Sequence, residues 1–126
     1  MSIKNTFKKL ILLHLGVLIL MLISVFYESE EVIRFNEAID GFSDASLIVV
    51  SILLLIYFIN LYFLYNFKKN AKQIFLVLFI LGVVLSIFGG PTASDPILYT
   101  LDGLSWCTEA AILVFLYFTP VQKYFK

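Results

Sequence analysis

Four polar side chains that could transfer a proton or bind an ion lie inside long apolar stretches: His14, Asn60, Asp102 and Glu109. Glu109 lies about 21 Å along a helix from Asp95, close to the middle of a lipid core about 30 Å thick. An ionised carboxylate is costly at that depth, so we expect Glu109 to face other helices, to be protonated or to contact water. Its carboxyl group could take up and release a proton or bind a cation. The alternative is a protonated acid that donates a structural hydrogen bond, which the lack of an evident basic partner favours.

Asp102, Trp106, Glu109 and Tyr117 recur at helical spacing and should form one stripe on the last helix. His14 and Asn60 each lie about 9 Å from the lysine-bearing boundary of their apolar stretches, and Tyr57 shares a face with Asn60. A proton path through His14, Asn60 and Glu109 is one interpretation. A simple interhelical hydrogen bond between His14 and Asn60, contributing about 0.6–2 kcal/mol, is the interpretation we favour.

The composition is that of a membrane protein. Of the 126 residues, 61% are hydrophobic and 14% are charged, and the mean hydropathy is +0.98; soluble domains are about 45–50% apolar and about 25% charged. One cysteine and one histidine cannot form an internal disulfide, a bis-histidine haem site or a zinc cluster. We therefore expect no cofactor and no metal, and no enzyme, because the sequence shows no nucleophile paired with a base. No basic motif for nucleic acid is present.

The apolar pattern predicts a single domain of four spans near residues 7–27, 45–66, 72–89 and 96–119. Every lysine lies before the first apolar run, between the second and third, or after the fourth, whereas all the acids except Asp102 and Glu109 lie in the other two connections. Lysine-rich loops stay cytoplasmic, so both termini should be cytoplasmic in a bacterial inner (plasma) membrane.

The long connection over residues 27–44 has helical periodicity of its own. Ser29 can cap a short helix, two glutamates suit its first turn and Gly41 can end it. We expect this helix to lie at the outer membrane boundary, although an acidic loop is the alternative. Its length and acidity suggest a surface for a protein partner. The candidate binding residues are Val32, Arg34, Phe35, Glu37, Ile39 and Phe42.

Gly82, Ser86 and Gly90 follow at four-residue spacing on the third span. Small residues at this spacing let a second helix approach closely, either within the bundle or in another subunit.

The sequence thus predicts an all-α, four-helix membrane bundle with an interfacial helix between the first two spans. As a function we expect a binding or accessory component of a membrane assembly, in contact with lipids and with a protein partner or a second copy. The alternative is a small oligomeric transporter or channel coupled to protonation of Glu109. The few polar residues within the spans are too few to line a pore in one subunit.

Overall fold

The computed structural model describes residues 2–39, 44–88 and 92–126, and within them the chain is helical with no strand. Its elements are α1 (Ile3–Val25), α2 (Glu30–Ile39), α3 (Asp44–Tyr65), α4 (Ala71–Phe88), α5 (Pro96–Phe118) and a 3-10 helix (Pro120–Tyr124). Helices α1, α3, α4 and α5 are each long and apolar enough to cross a membrane. The predicted all-α fold with a short helix between the first two spans is confirmed.

Local sequence explains where the helices begin and end. Helix α1 starts earlier than expected because Ser2 caps it, its side chain accepting a hydrogen bond from the backbone N–H of Asn5. Helix α5 starts at Pro96, where the missing N–H costs nothing, and ends at Phe118 shortly before Pro120.

Asp95 occupies the N-cap position of α5 in an extended backbone conformation. Its carboxylate makes no capping bond to α5. It accepts hydrogen bonds from the backbone N–H of Ser29 at 2.7 Å and from the Ser29 hydroxyl at 3.1 Å. The start of α5 is therefore tied to the residue that precedes α2, and two donors compensate the carboxylate for leaving water.

The protein core lies at one end of the bundle, which we call the lysine-rich end because the N-terminus, the α3–α4 connection and the C-terminus meet there. The opposite end, which carries α2 and Asp95, is called the acidic end. The buried apolar side chains come from all four long helices and from the segments that follow α3 and α5: Phe7, Ile11, Val17, Leu61, Leu64, Phe67, Ala71, Phe75, Ile112, Leu116 and Val121. Rings close this end, with Phe7 and Phe125 packed 5.8 and 5.3 Å from Phe67 between ring centroids.

The acidic half of the bundle is loosely packed. Among the described residues, none is fully buried on α3 before Asn60, on α4 after Phe75 or on α5 before Ser105. Helices α1 and α5 stay in close contact, whereas α4 and α5 make few contacts. A cavity opens between them.

Candidate functional site

A chain of hydrogen bonds connects three helices through a fully buried histidine. The Nδ1 atom of His14 lies 2.7 Å from the hydroxyl oxygen of Thr108, and its Nε2 atom lies 2.6 Å from the hydroxyl oxygen of Tyr57. Tyr57 donates to Oε1 of Glu109 at 2.5 Å. The direct distance from His14 Nε2 to Glu109 Oε1 is 3.8 Å, so Tyr57 is the link between the two ionisable groups.

Helix packing explains why these side chains meet. The buried residues of α1 are Phe7, Ile11, His14 and Val17, which form one helical face. That face packs on the buried face of α5, formed by Ser105, Thr108, Ile112 and Leu116. The small Ser105 and Thr108 leave space for the imidazole, and Tyr57 reaches it from α3.

With four mobile protons, every contact of the chain can be satisfied. The Thr108 hydroxyl lies 3.0 Å from the carbonyl oxygen of Leu104 and can donate to it. It can then accept from Nδ1–H of His14. A protonated Glu109 can donate to Tyr57, which in turn donates to Nε2 of His14. The same four protons also satisfy the chain when His14 is an imidazolium and Glu109 a carboxylate. In that arrangement Nε2 of His14 donates to Tyr57, and Tyr57 donates to Glu109.

With three protons, the chain can again be complete. A neutral His14 then donates from Nε2 to Tyr57, and Tyr57 donates to the Glu109 carboxylate. The Thr108 hydroxyl turns from the carbonyl of Leu104 to donate to Nδ1 of His14. The site can therefore lose or gain one proton without leaving a hydrogen-bonding atom of the chain unpaired, which would be costly in a buried position.

The Glu109 end of this chain faces a cavity of about 270 Å³. Among the lining residues, Tyr57 and Glu109 are partly buried, whereas Ser86 and Asp102 are exposed and lie in the acidic half. The remaining walls are mainly apolar and aromatic: Leu18, Val50, Leu53, Leu54, Leu78, Phe79, Leu81, Gly82, Leu85, Ser105 and Trp106. The rings of Phe79 and Trp106 pack edge to face, with centroids 5.8 Å apart.

Several predicted residues meet at this site, but the predicted connection between them was wrong. Glu109 and Asp102 line the same cavity, and Glu109 has a basic partner in His14, which sequence reasoning did not find. The path from His14 to Glu109 runs through Tyr57 instead of Asn60. The phenol is long enough to reach both groups, and its position on the face of Asn60 was the available signal.

Asn60 is only 2% exposed, and its amide nitrogen and oxygen have no hydrogen-bond partner among the described residues. The hydrogen bond between His14 and Asn60 that the sequence favoured is therefore not formed. Tyr57 and Thr108 take both nitrogen atoms of the imidazole instead.

The small residues of α4 lie beside the cavity. A side chain added at Gly82 would first meet Trp106, at 4.0 Å, and the Ser86 hydroxyl donates to the carbonyl of Gly82 on its own helix. Close approach of another helix to this face stays a prediction, and Gly90 lies outside the described residues. Of the stripe predicted on α5, Asp102, Trp106 and Glu109 line the cavity. Tyr117 lies apart from them at the lysine-rich end and donates to the carbonyl of Lys72.

Helix α2 is held at the acidic end by contacts that the sequence did not indicate. The Asn36 amide donates to the carbonyl of Ala93 at 3.0 Å and accepts from the N–H of Ala93 at 2.9 Å. Of the predicted partner surface, Val32 is half-buried, and the exposed members are Arg34, Phe35, Glu37 and Ile39. Arg34 forms an exposed ion pair with Glu30. Phe42 lies outside the described residues.

Comparison of the chain with protein-family models, curated proteins and solved structures finds no match. Within the described residues, no group of three or more His, Cys, Asp or Glu side chains could hold a metal ion. The function must therefore be argued from the hydrogen-bonded chain and the cavity themselves.

Proposed function

We propose that this small membrane protein is a proton-linked carrier in which Glu109 exchanges a proton as a ligand enters or leaves the cavity. The observation that supports it best is the unbroken chain from Thr108 through His14 and Tyr57 to Glu109. A purely structural hydrogen bond requires two partners. This chain joins an acid and a base and ends at an open cavity.

The surroundings of Glu109 fit such a role. Its side chain is 15% exposed, whereas the His14 side chain is fully buried. A ligand or water in the cavity can thus reach the carboxyl group, while His14 is reached only through its neighbours. Polar and ionisable groups inside a membrane are costly, and those that persist commonly mark ion or proton pathways.

Exposed residues that line the cavity, among them Val50, Leu85 and Asp102, lie in the acidic half of the bundle. The aromatic and aliphatic core blocks the lysine-rich end. If the lysines face the cytoplasm, as the charge bias predicts, the cavity opens in the outer half of the membrane. This conformation is then the outward-facing state of an alternating-access cycle.

Infrared difference spectroscopy of the protein in lipid bilayers tests the proton exchange directly. Raising the pH should remove the C=O band of a protonated carboxylic acid, and Glu109→Gln should lack that change. Glu37→Gln is the matched control, because it makes the same chemical change on the exposed surface of α2. A carboxyl band of Glu109 that is absent or constant wherever the protein stays folded would contradict the proposal.

A second candidate function, that of a binding or accessory component, is supported by α2. Asn36 and Ser29 fix this helix to the segment before α5, and Phe35 and Ile39 remain 48% and 46% exposed. A helix fixed in place with an exposed apolar edge is suited to contact another membrane protein. Replacing residues 27–44 with a Gly/Ser connection should then change the proteins that copurify from native membranes, and an unchanged set would exclude this function.

A further inference from the structure

We propose that the cavity binds a small organic cation, a substituted ammonium with an aromatic or alkyl body, whose charge is held by Glu109 and Asp102. This inference rests on the proposed proton exchange at Glu109 and names the ligand that would compete with the proton. It is argued from the charge, the rings and the size of the cavity.

The charge of the cavity has one sign. Glu109 and Asp102 line it about two helical turns apart on α5, and no Lys, Arg or His is among the lining residues in the described part of the chain. An anion would meet two acids in a medium of low dielectric constant and would be repelled. A neutral apolar molecule would form no charge interaction with the two acids.

The walls suit the body of such a cation. Trp106, Phe79 and Tyr57 contribute rings to the cavity. Aromatic faces attract cations, with tryptophan the strongest, and sites for quaternary ammonium groups commonly use this interaction. Aliphatic side chains from α1, α3 and α4 cover the remaining walls and can bury the apolar part of the ligand.

The cavity is large enough for a small aromatic ligand. About 270 Å³ is larger than the roughly 150 Å³ cavity that holds a benzene molecule. The cavity therefore has room for one aromatic ring with a small ammonium group. Phenyltrimethylammonium is a suitable probe, and tert-butylbenzene is its neutral counterpart of nearly the same shape.

The competition with the proton follows from the groups around Glu109. His14 faces it from α1, Tyr57 from α3 and Asp102 from its own helix, and α4 contributes only uncharged residues to the cavity. When the cation binds, the Glu109 carboxyl group releases its proton to water and becomes the counter-ion. The chain is then left with three protons, and His14 is neutral.

The single tryptophan provides the assay, because Trp106 lines the cavity. The full chain in detergent micelles should show a saturable fluorescence change with phenyltrimethylammonium and none with tert-butylbenzene beyond that of protein-free micelles. In weakly buffered solution, binding should release close to one proton per cation. Glu109→Gln should weaken binding on the order of thirtyfold and abolish the release, as expected when one partner of a desolvated charge pair is removed.

Two further variants keep the test informative if Glu109→Gln folds poorly. Asp102→Asn should weaken binding severalfold, because Asp102 lies at the exposed edge of the cavity, where solvent reduces its attraction. Glu31→Gln, on the exposed surface of α2 and outside the cavity, should bind as the unaltered protein does. Equal binding of the neutral probe, binding unaffected by changes at Glu109 and Asp102, or no binding at all would overturn the proposal. The infrared titration of Glu109 is carried out without the organic cation. It therefore tests the proton exchange independently of cation binding.

Discussion

Removal of the Tyr57 hydroxyl is the most direct test of the hydrogen-bonded chain. Tyr57→Phe keeps the ring, and with it the packing on Phe75 at a centroid distance of 5.8 Å and on His14 at 5.9 Å. It removes only the atom that joins His14 to Glu109. Any loss of stability can then be attributed to hydrogen bonding, because no large void is created.

The expected loss is about 2–4 kcal/mol in the free energy of unfolding. Two hydrogen bonds disappear, and interhelical bonds in membranes contribute about 0.6 kcal/mol each on average. His14 adds to this loss because its imidazole is fully buried and cannot replace the lost bond with water. An unpaired buried polar group costs about 1–3 kcal/mol. Glu109 faces the cavity, where water can replace the lost hydrogen bond, so its contribution to the loss of stability should be smaller.

The measurement is reversible unfolding in mixed micelles by a denaturing detergent, followed by the fluorescence of Trp106. Tyr62→Phe is the matched control, because Tyr62 lies on the same helix and is 66% exposed. The control should change stability by less than about 0.5 kcal/mol. Equal stability of the two variants would refute the claim that Tyr57 links buried groups.

Two further outcomes are expected from the topology and the acidic end. Reporter fusions after Lys69 should report the cytoplasm and fusions near Glu37 the opposite side, and a cytoplasmic signal from Glu37 would overturn the orientation. Asn36→Ala removes both hydrogen bonds between α2 and Ala93. Hydrogen exchange of the α2 amides should therefore become faster, whereas Arg34→Ala, which breaks an exposed ion pair, should leave it nearly unchanged. Equal exchange in both variants would show that these bonds do not hold α2 in place.

The fold was predictable because a lipid solvent imposes a simple rule. Apolar stretches long enough to span the membrane must be helices, since every backbone group needs a partner. The same reasoning placed α2, whose apolar residues recur at helical spacing. Proline and capping residues set where the helices start. The predicted start of α5 was accurate at Pro96, whereas that of α1 was too late, since the helix begins at Ile3.

The site was only partly predictable. Hydropathy identified His14, Asp102 and Glu109 because polar residues are conspicuous in apolar spans. It could not rank Tyr57, because a tyrosine in such a span is more often packing material than a hydrogen-bond link. The rotation of each helix about its axis decides between Tyr57 and Asn60 as the partner of His14, and nearly uniform hydrophobicity gives little information on that rotation. Contacts such as that of Asn36 with Ala93 depend on how a connection crosses the end of the bundle.

The uneven distribution of the core gives the two leaflets of the bilayer different influence on this protein. At the lysine-rich end, side chains hold the helices together. In the opposite half, α4 and α5 make few contacts and are separated by the cavity. The lateral pressure and thickness of that leaflet should therefore set how far the two helices stand apart. A change in acyl-chain length or unsaturation should then alter the separation of α4 and α5 in that half, while the packed half keeps its structure.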